Sequence, residues 1–420
     1  MTLGDDRTHP RLRILIAAYA VSSFGSYLNL LALGLFAFQL SGSAFETGLF
    51  MALRLTSGFV AGPAAGWLAG RYPRKALMIS SDVICAAGVA AVALWPSLWL
   101  LYALAIVLGT ATARWNVAMR SSIPDLVASG ELAKANGRLV SGRSAAMLLG
   151  FASAGVLVSG LGFTTVFLID ALSYVVCASL LLLVPFAAPK RAATGPATGQ
   201  RKRFVLAALA PGLIAMIALR SLDALGSASH NVALPVYASS VWPDDPAAFA
   251  AIFMTAWAVG SLVAGRWLAR NASTLGFGIA TCLMSVLFVL AFTGLPMWLL
   301  VVVAAGAGIA DGYAEISYTT RLQRLSDEQR PAVFGLAHAA QNAGFGLGMV
   351  ACGAFLGQAA PLTVVASAHA IALTGAVGFV LIILLGFGGG SNEAGRQLRW
   401  RLTRRSTVPA DPASGTAPRR

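Results

Sequence analysis

The chain has 420 residues, 57% of them hydrophobic and only 11% charged, whereas a soluble domain carries about 25% charged residues. Too little polar sequence is left to clothe a water-soluble globule. The net charge of +14 would point to nucleic acid in a soluble protein, but here Arg and Lys flank apolar runs, so the expected partner is a lipid bilayer and not nucleic acid.

Taken in order, the runs long enough to cross a bilayer as helices, ~20 residues each, fall at 13–40, 46–69, 76–95, 98–120, 139–160, 163–185, 205–238, 247–269, 274–294, 297–320, 332–357 and 362–387. Residues 1–12 read as a cytoplasmic N-terminus. The first run exceeds the about 7–15 residues of a signal-peptide core and shows no strong cleavage site, so it is expected to stay as the first span. Residues 13–185 form an N-terminal six-helix bundle and 205–387 a C-terminal one. Between them, 186–204 is a cytoplasmic linker, polar and Pro/Gly-bearing from Lys190 to Arg203. The tail 388–420 is Arg-rich and reads as disordered. The connections on the other side are short and turn-like, as at Gly160-Leu161-Gly162 and Gly294-Leu295-Pro296. The expected fold is an all-α membrane protein of twelve transmembrane helices in two pseudo-symmetric bundles.

Charge sets the orientation. Arg and Lys cluster at 7–13, 71–75, 114–143, 190–203, 266–270, 321–330 and 396–420, and none occurs in the six intervening loops. The positive-inside rule then puts both termini in the cytoplasm of a plasma (inner) membrane. The halves repeat at an offset of about 201 residues: Gly25-Ser26 matches Gly226-Ser227, and Arg120 matches Arg321. Gly66–Arg71 and Gly265–Arg270 occupy the same place after the second span of each half. Paired halves of this kind are a transporter signature.

The loop GWLAGRYPRKAL (Gly66 to Leu77) resembles the Gly-x-x-x-Asp-Arg-x-x-Arg-Arg/Lys signature of the major facilitator superfamily. LSGSAFETGL (Leu40 to Leu49), MRSSIPDLVASGELAKANG (Met119 to Gly137), FLIDALSY (Phe167 to Tyr174) and TRLQRLSDEQRPAVFGL (Thr320 to Leu336) resemble its macrolide-efflux and enterobactin-exporter branch, in the same order. The resemblance implies export of a hydrophobic or amphiphilic small molecule by proton antiport. It also implies a cytoplasmic latch at Arg71, Arg74 and Lys75, and a cavity lined by helices 1, 4, 7 and 10. The chain departs from the pattern where Gly70 replaces the signature Asp, Ser26 an acidic residue, and Phe151 a proline.

Charges inside lipid are costly and mark function. Arg220 and Asp223 lie three apart on one face of helix 7. Asp223 is expected to exchange a proton, with Arg220 holding it ionised until substrate or a conformational change separates them. A static ion pair is the alternative. Asp311 lies in helix 10, and Glu315 one turn further on. Glu315 is repeat-related to Arg114, and the two are expected to meet across the cytoplasmic mouth as a gate; the alternative is that each is satisfied within its own half or faces the cytoplasm. Tyr19, Ser22, Ser26 and Asn29 form one polar stripe on helix 1 and are expected to face the cavity. His230 and Asn231, with His338, Gln341 and Asn342, are expected to add polar contacts. Asp82 and Asp170 read as structural, and Arg54 as facing the seam between halves.

No Walker loop, GxSxG or HExxH motif occurs, so no catalytic residue is expected. Cys85, Cys177, Cys282 and Cys352 lie singly inside apolar runs, which predicts no metal site, disulfide or cofactor. The expected function is secondary active transport by a monomer, with protons and one small-molecule substrate as partners. Two alternatives are proton-independent movement of a lipid-like substrate and a non-transporting sensor or assembly factor on the same fold.

Overall fold

In lipid each backbone N–H and C=O must be satisfied within the segment, so long apolar runs fold as helices. The computed structural model describes residues 10–42, 44–184, 186, 211–244, 246–356 and 358–385. Residues 1–9, the linker beyond 186 and the tail 388–420 lie outside the described residues.

The described residues form twelve long helices: α1 (Pro10–Ser41), α2 (Ala44–Arg71), α3 (Arg74–Leu94), α4 (Leu98–Ser122), α5 (132–161), α6 (163–182), α7 (Pro211–Val241), α8 (Pro246–Val263), α9 (Thr274–Ala291), α10 (Met297–Gln323), α11 (Arg330–Leu356) and α12 (Pro361–Leu384). Eleven helical stretches are long and apolar enough to span a membrane. α2, which carries Glu46, Arg54 and Arg71, does not meet that standard. α5 and α6 are the two arms of one helical run, bent at Gly162, whose φ of 77° only glycine adopts without strain. Gly294, with φ 79°, turns the chain between α9 and α10. Ser97 and Ser273 begin α4 and α9 by accepting bonds from the backbone N–H of Leu100 and Gly276, the usual N-cap arrangement. The main boundary correction is α5, which starts at Leu132 rather than at 139.

With twelve antiparallel helices, the described chain begins and ends on one face, which also carries the clustered basic residues. Two seams join the halves next to this basic face: α2 packs on α11, and α5 on α8. Both are built on glycine. A Cβ on Gly335 would lie 2.5 Å from the Gly62 carbonyl oxygen, and one on Gly66 would lie 2.6 Å from that of Pro331. In the second seam a Cβ on Gly137 would lie 2.4 Å from the Gly265 carbonyl oxygen, and the reverse distance is also 2.4 Å. Gly66 and Gly265 are the repeat-related glycines of the sequence, each spent on the same backbone-to-backbone contact. Small residues at such crossings let helices approach within lipid.

The apolar core tells which end is shut. Near the basic face one cluster runs through both halves, with Leu15, Met78 and Trp115 from one and Met216, Phe334 and Phe379 from the other. Toward the opposite face it divides. Leu28, Phe50, Val89 and Leu104 form one cluster, and Leu234, Phe253, Met284 and Leu300 a separate one.

Candidate functional site

A cavity of about 430 Å³ lies between the halves, within the size range of small-molecule sites. Tyr19, Ser22 and Ser26 line it as expected, and so do His338, Gln341 and Asn342 on α11. Trp115 stacks on Tyr19 with ring centroids 5.4 Å apart and donates from its indole nitrogen to Asp82 at 3.2 Å. The rest of the α1 stripe is corrected at Asn29. Its Nδ2 donates to Asp170 Oδ2 at 2.5 Å, deep between α1 and α6. A fully buried carboxylate with no cation beside it needs such a donor. His230 is also displaced from the expected site. It stacks on Phe288 at 3.8 Å, in the interior of the C-terminal half. Asn231 is exposed, and its Nδ2 bonds the carbonyl of Ser227 within its own helix.

Behind the cavity wall lies a chain of charges. Arg220 donates to Asp223 Oδ2 at 2.6 Å and to Glu315 Oε2 at 2.8 Å, and lies 3.6 Å from Asp311 Oδ1. Asp223 Oδ1 is buried without a hydrogen-bond partner. The other oxygen of Glu315 pairs at 2.6 Å with Arg120, on α4 of the opposite half. Arg120 also donates to Thr319 at 2.7 Å. The expected Arg114–Glu315 gate is therefore replaced by Arg120–Glu315. Arg114 points within its own half, where its Nε donates to Ser81 at 2.8 Å. Arg143 lines the same cavity, with Tyr19, Tyr27 and Glu315.

Below this the halves are bonded directly. Asn136 donates to Thr320 and to Gln323, both at 2.8 Å, and Ser144 bonds Ser261 at 3.0 Å. At the surface Arg74 pairs with Asp125 of its own half at 2.7 Å and with Asp327 of the other. Arg330 answers from the second half, 3.3 Å from Asp327, 3.8 Å from Asp125 and 3.0 Å from the Ser121 carbonyl. Of the three basic residues expected in this latch, only Arg74 bridges the halves. Arg71 lies 4.7 Å from the Trp67 ring. Lys75 donates to the carbonyls of Leu182 and Val184, at the end of α6. Cations suit a helix C-terminus, where the macrodipole is negative.

Sequence reasoning missed Arg120, Arg143, Asn136, Asp327 and Arg330. Arg143 had been grouped with loop charges. With α5 starting at Leu132, it lies eleven residues into the helix, about 16 Å at 1.5 Å per residue.

Two helical halves sealed at one face around a polar cavity define a multi-pass membrane protein of the two-bundle carrier type. The chain belongs to the Major Facilitator Superfamily, whose family model matches residues 15–348. It is 29% identical over 208 residues to an uncharacterized MFS-type transporter, YfiS, of Bacillus subtilis (strain 168). That match spans about half of each protein, 49% in both cases. The fold is similar to the crystal structure of the human organic anion transporter MFSD10 (TETRAN). The TM-score is 0.75 at 12% identity, over 90% of this chain and 100% of that one.

Proposed function

We propose that the protein is a secondary active transporter of the plasma membrane, of the exporter branch its loops resemble. It works as a monomer with both termini in the cytoplasm. It exports a hydrophobic or amphiphilic small molecule in exchange for protons, by rocking of the halves about the cavity. The basic face is cytoplasmic, so the conformation described here is closed inward.

One observation carries the coupling. Asp223, Asp311 and Glu315 share the single Arg220 of their own half, and the second cation paired with Glu315, Arg120, belongs to the other. Opening the cytoplasmic face withdraws it. Protonating a carboxylate of the cluster weakens the bridge that opening must break, so proton binding favours the inward-open state. Asp223, with its free Oδ1, is the proton carrier. A polar cavity of this size also supports a transporter over a sensor, which would need no water-accessible passage.

The test is dye flux in proteoliposomes under an imposed pH gradient. The dyes are fluorescein, rhodamine 6G and Nile red, which span anionic, cationic and neutral amphiphiles. At least one is expected to move with the gradient, and Asp223→Asn is expected to abolish that movement while gradient-independent exchange persists. Unchanged gradient-driven flux in the variant removes Asp223 from the mechanism. No movement of any dye removes the export reading.

A further inference from the structure

The charges on the cavity wall are not balanced. Arg54, Arg120, Arg143, Asp82 and Glu315 line it, with His338 the one other titratable group of that kind. Arg120 and Glu315 hold each other, and Arg220 holds the second oxygen of Glu315. Asp82 accepts from Trp115. That leaves Arg54 and Arg143, neither of which makes an ion pair or a side-chain hydrogen bond among the described residues.

Arg54 is the sharper case. It sits ten residues into α2, a helix of 28 residues, about 15 Å from its first residue and about 26 Å from its last at 1.5 Å per residue. Its guanidinium is thus held well inside the length of the helix, on the cavity wall. Its Nη1 is buried with no acceptor in reach. Asp170 makes no ion pair with it and is already bonded to Asn29 and Ser173. An arginine keeps its proton under any physiological condition. Leaving Nη1 buried and unpaired costs free energy that an acceptor would return. No described residue supplies that acceptor, while the cavity is open to one.

The remaining wall is suited to a flat apolar body. Tyr19 and Trp115 form a stacked pair, and Tyr27 and Phe345 line the same space. We propose that the cavity binds an amphiphilic organic anion. Its acid group seats on Arg54, Arg143 is the second cation, and its body lies on the Tyr19–Trp115 pair. This narrows the substrate class of the export reading above and rests on that reading for its physiological meaning.

Equilibrium binding to the purified full-length protein in detergent tests it, read by fluorescence anisotropy. Two xanthene dyes of related ring system and opposite charge serve as probes: fluorescein and rhodamine 6G. Fluorescein is expected to bind more tightly than rhodamine 6G. Arg54→Gln should weaken fluorescein binding by about ten- to a hundredfold, the worth of a charge-assisted hydrogen bond, and Arg54→Lys should restore part of it. Arg143→Gln should weaken it less. Rhodamine 6G binding should not fall in any of the three. Size-exclusion profiles matching the wild type show that the variants are folded. Tighter binding of rhodamine 6G, fluorescein binding unmoved by Arg54→Gln, or no fluorescein binding at all overturns the assignment. Binding at equilibrium needs no transport cycle, so the two readings fail separately. Gradient-driven flux of rhodamine 6G alone keeps the transporter and removes the anion seat. Arg54-dependent binding without flux does the reverse.

Discussion

Glu315→Gln imitates protonation at the Arg120–Glu315 ion pair, which joins the halves. The substitution keeps the side chain's size and removes its charge. Two ion pairs change: Arg220–Glu315 at 2.8 Å, within the C-terminal half, and Arg120–Glu315 at 2.6 Å, across the interface. The first is present whether the basic face is open or closed, so its loss alters overall stability and leaves the conformational equilibrium alone. The second exists only when that face is closed. A hydrogen bond to a charged group contributes about 1.5–3 kcal/mol, so its loss should shift the population toward the open state by roughly ten- to a hundredfold. The assay is the distance between spin labels at Ala128 and Glu328, exposed positions on the basic face of opposite halves. The background lacks Cys85, Cys177, Cys282 and Cys352. A longer-distance population should appear in Glu315→Gln and equally in Arg120→Gln. The double variant should add little, because both singles remove the same contact. A folded Glu315→Gln protein with an unchanged distance distribution would refute the reasoning.

Further outcomes follow from the seam and the interior. Gly335→Ala puts a methyl 2.5 Å from the Gly62 carbonyl oxygen and 3.0 Å from the Gly66 Cα. It should push α11 off α2 and lengthen the same label distance, and an unmoved distance would mean the seam has slack. His369 is 1% exposed and neither ring nitrogen has a hydrogen-bond partner among the described residues. Its replacement by Leu loses stacking on Phe288, at 5.4 Å, but removes two unsatisfied polar atoms. The net expectation is a gain of about 1 kcal/mol, seen as a higher Tm in detergent, and a lower Tm counts against it.

What could be read from the sequence depended on the range of the interaction. Helix number rests on hydropathy summed over some twenty residues, and small local errors do not disturb it. The repeat marked Gly66 and Gly265 as equivalent, but not their partners, because Gly335 and Gly137 become visible only once the halves are docked. Glu315 was matched to Arg114 by repeat arithmetic, which pairs backbone positions. Ion pairs depend on where long side chains reach, and Arg114 is drawn to Ser81 on its own side. Arg143 falls inside the expected span 139–160 but was counted with the basic cluster 114–143, so a charge inside the cavity was read as part of a loop group. Asn29 and His230 carried polar signals consistent with the cavity. Periodicity says which residues share a face, not whether that face meets the cavity or a neighbouring helix.

Gly70 stands where the superfamily signature carries Asp. Gly70 leaves open space where a Cβ would be, and Arg74 finds its second carboxylate on Asp327 instead. An acid within the same half would accompany Arg74 through the transport cycle and bias neither state. Asp327 belongs to the opposite half, so its bond breaks when the basic face opens, and only such bonds shift the equilibrium. The gain is small, because Asp327 is 37% exposed and exposed pairs contribute about 0–1 kcal/mol. Arg330 reaches across to Asp125 at the same rim, where that carboxylate is 27% exposed. The surface latch is therefore the weaker closure. The Arg120–Glu315 bridge, set deeper with Glu315 only 8% exposed, and the two glycine seams hold the face shut.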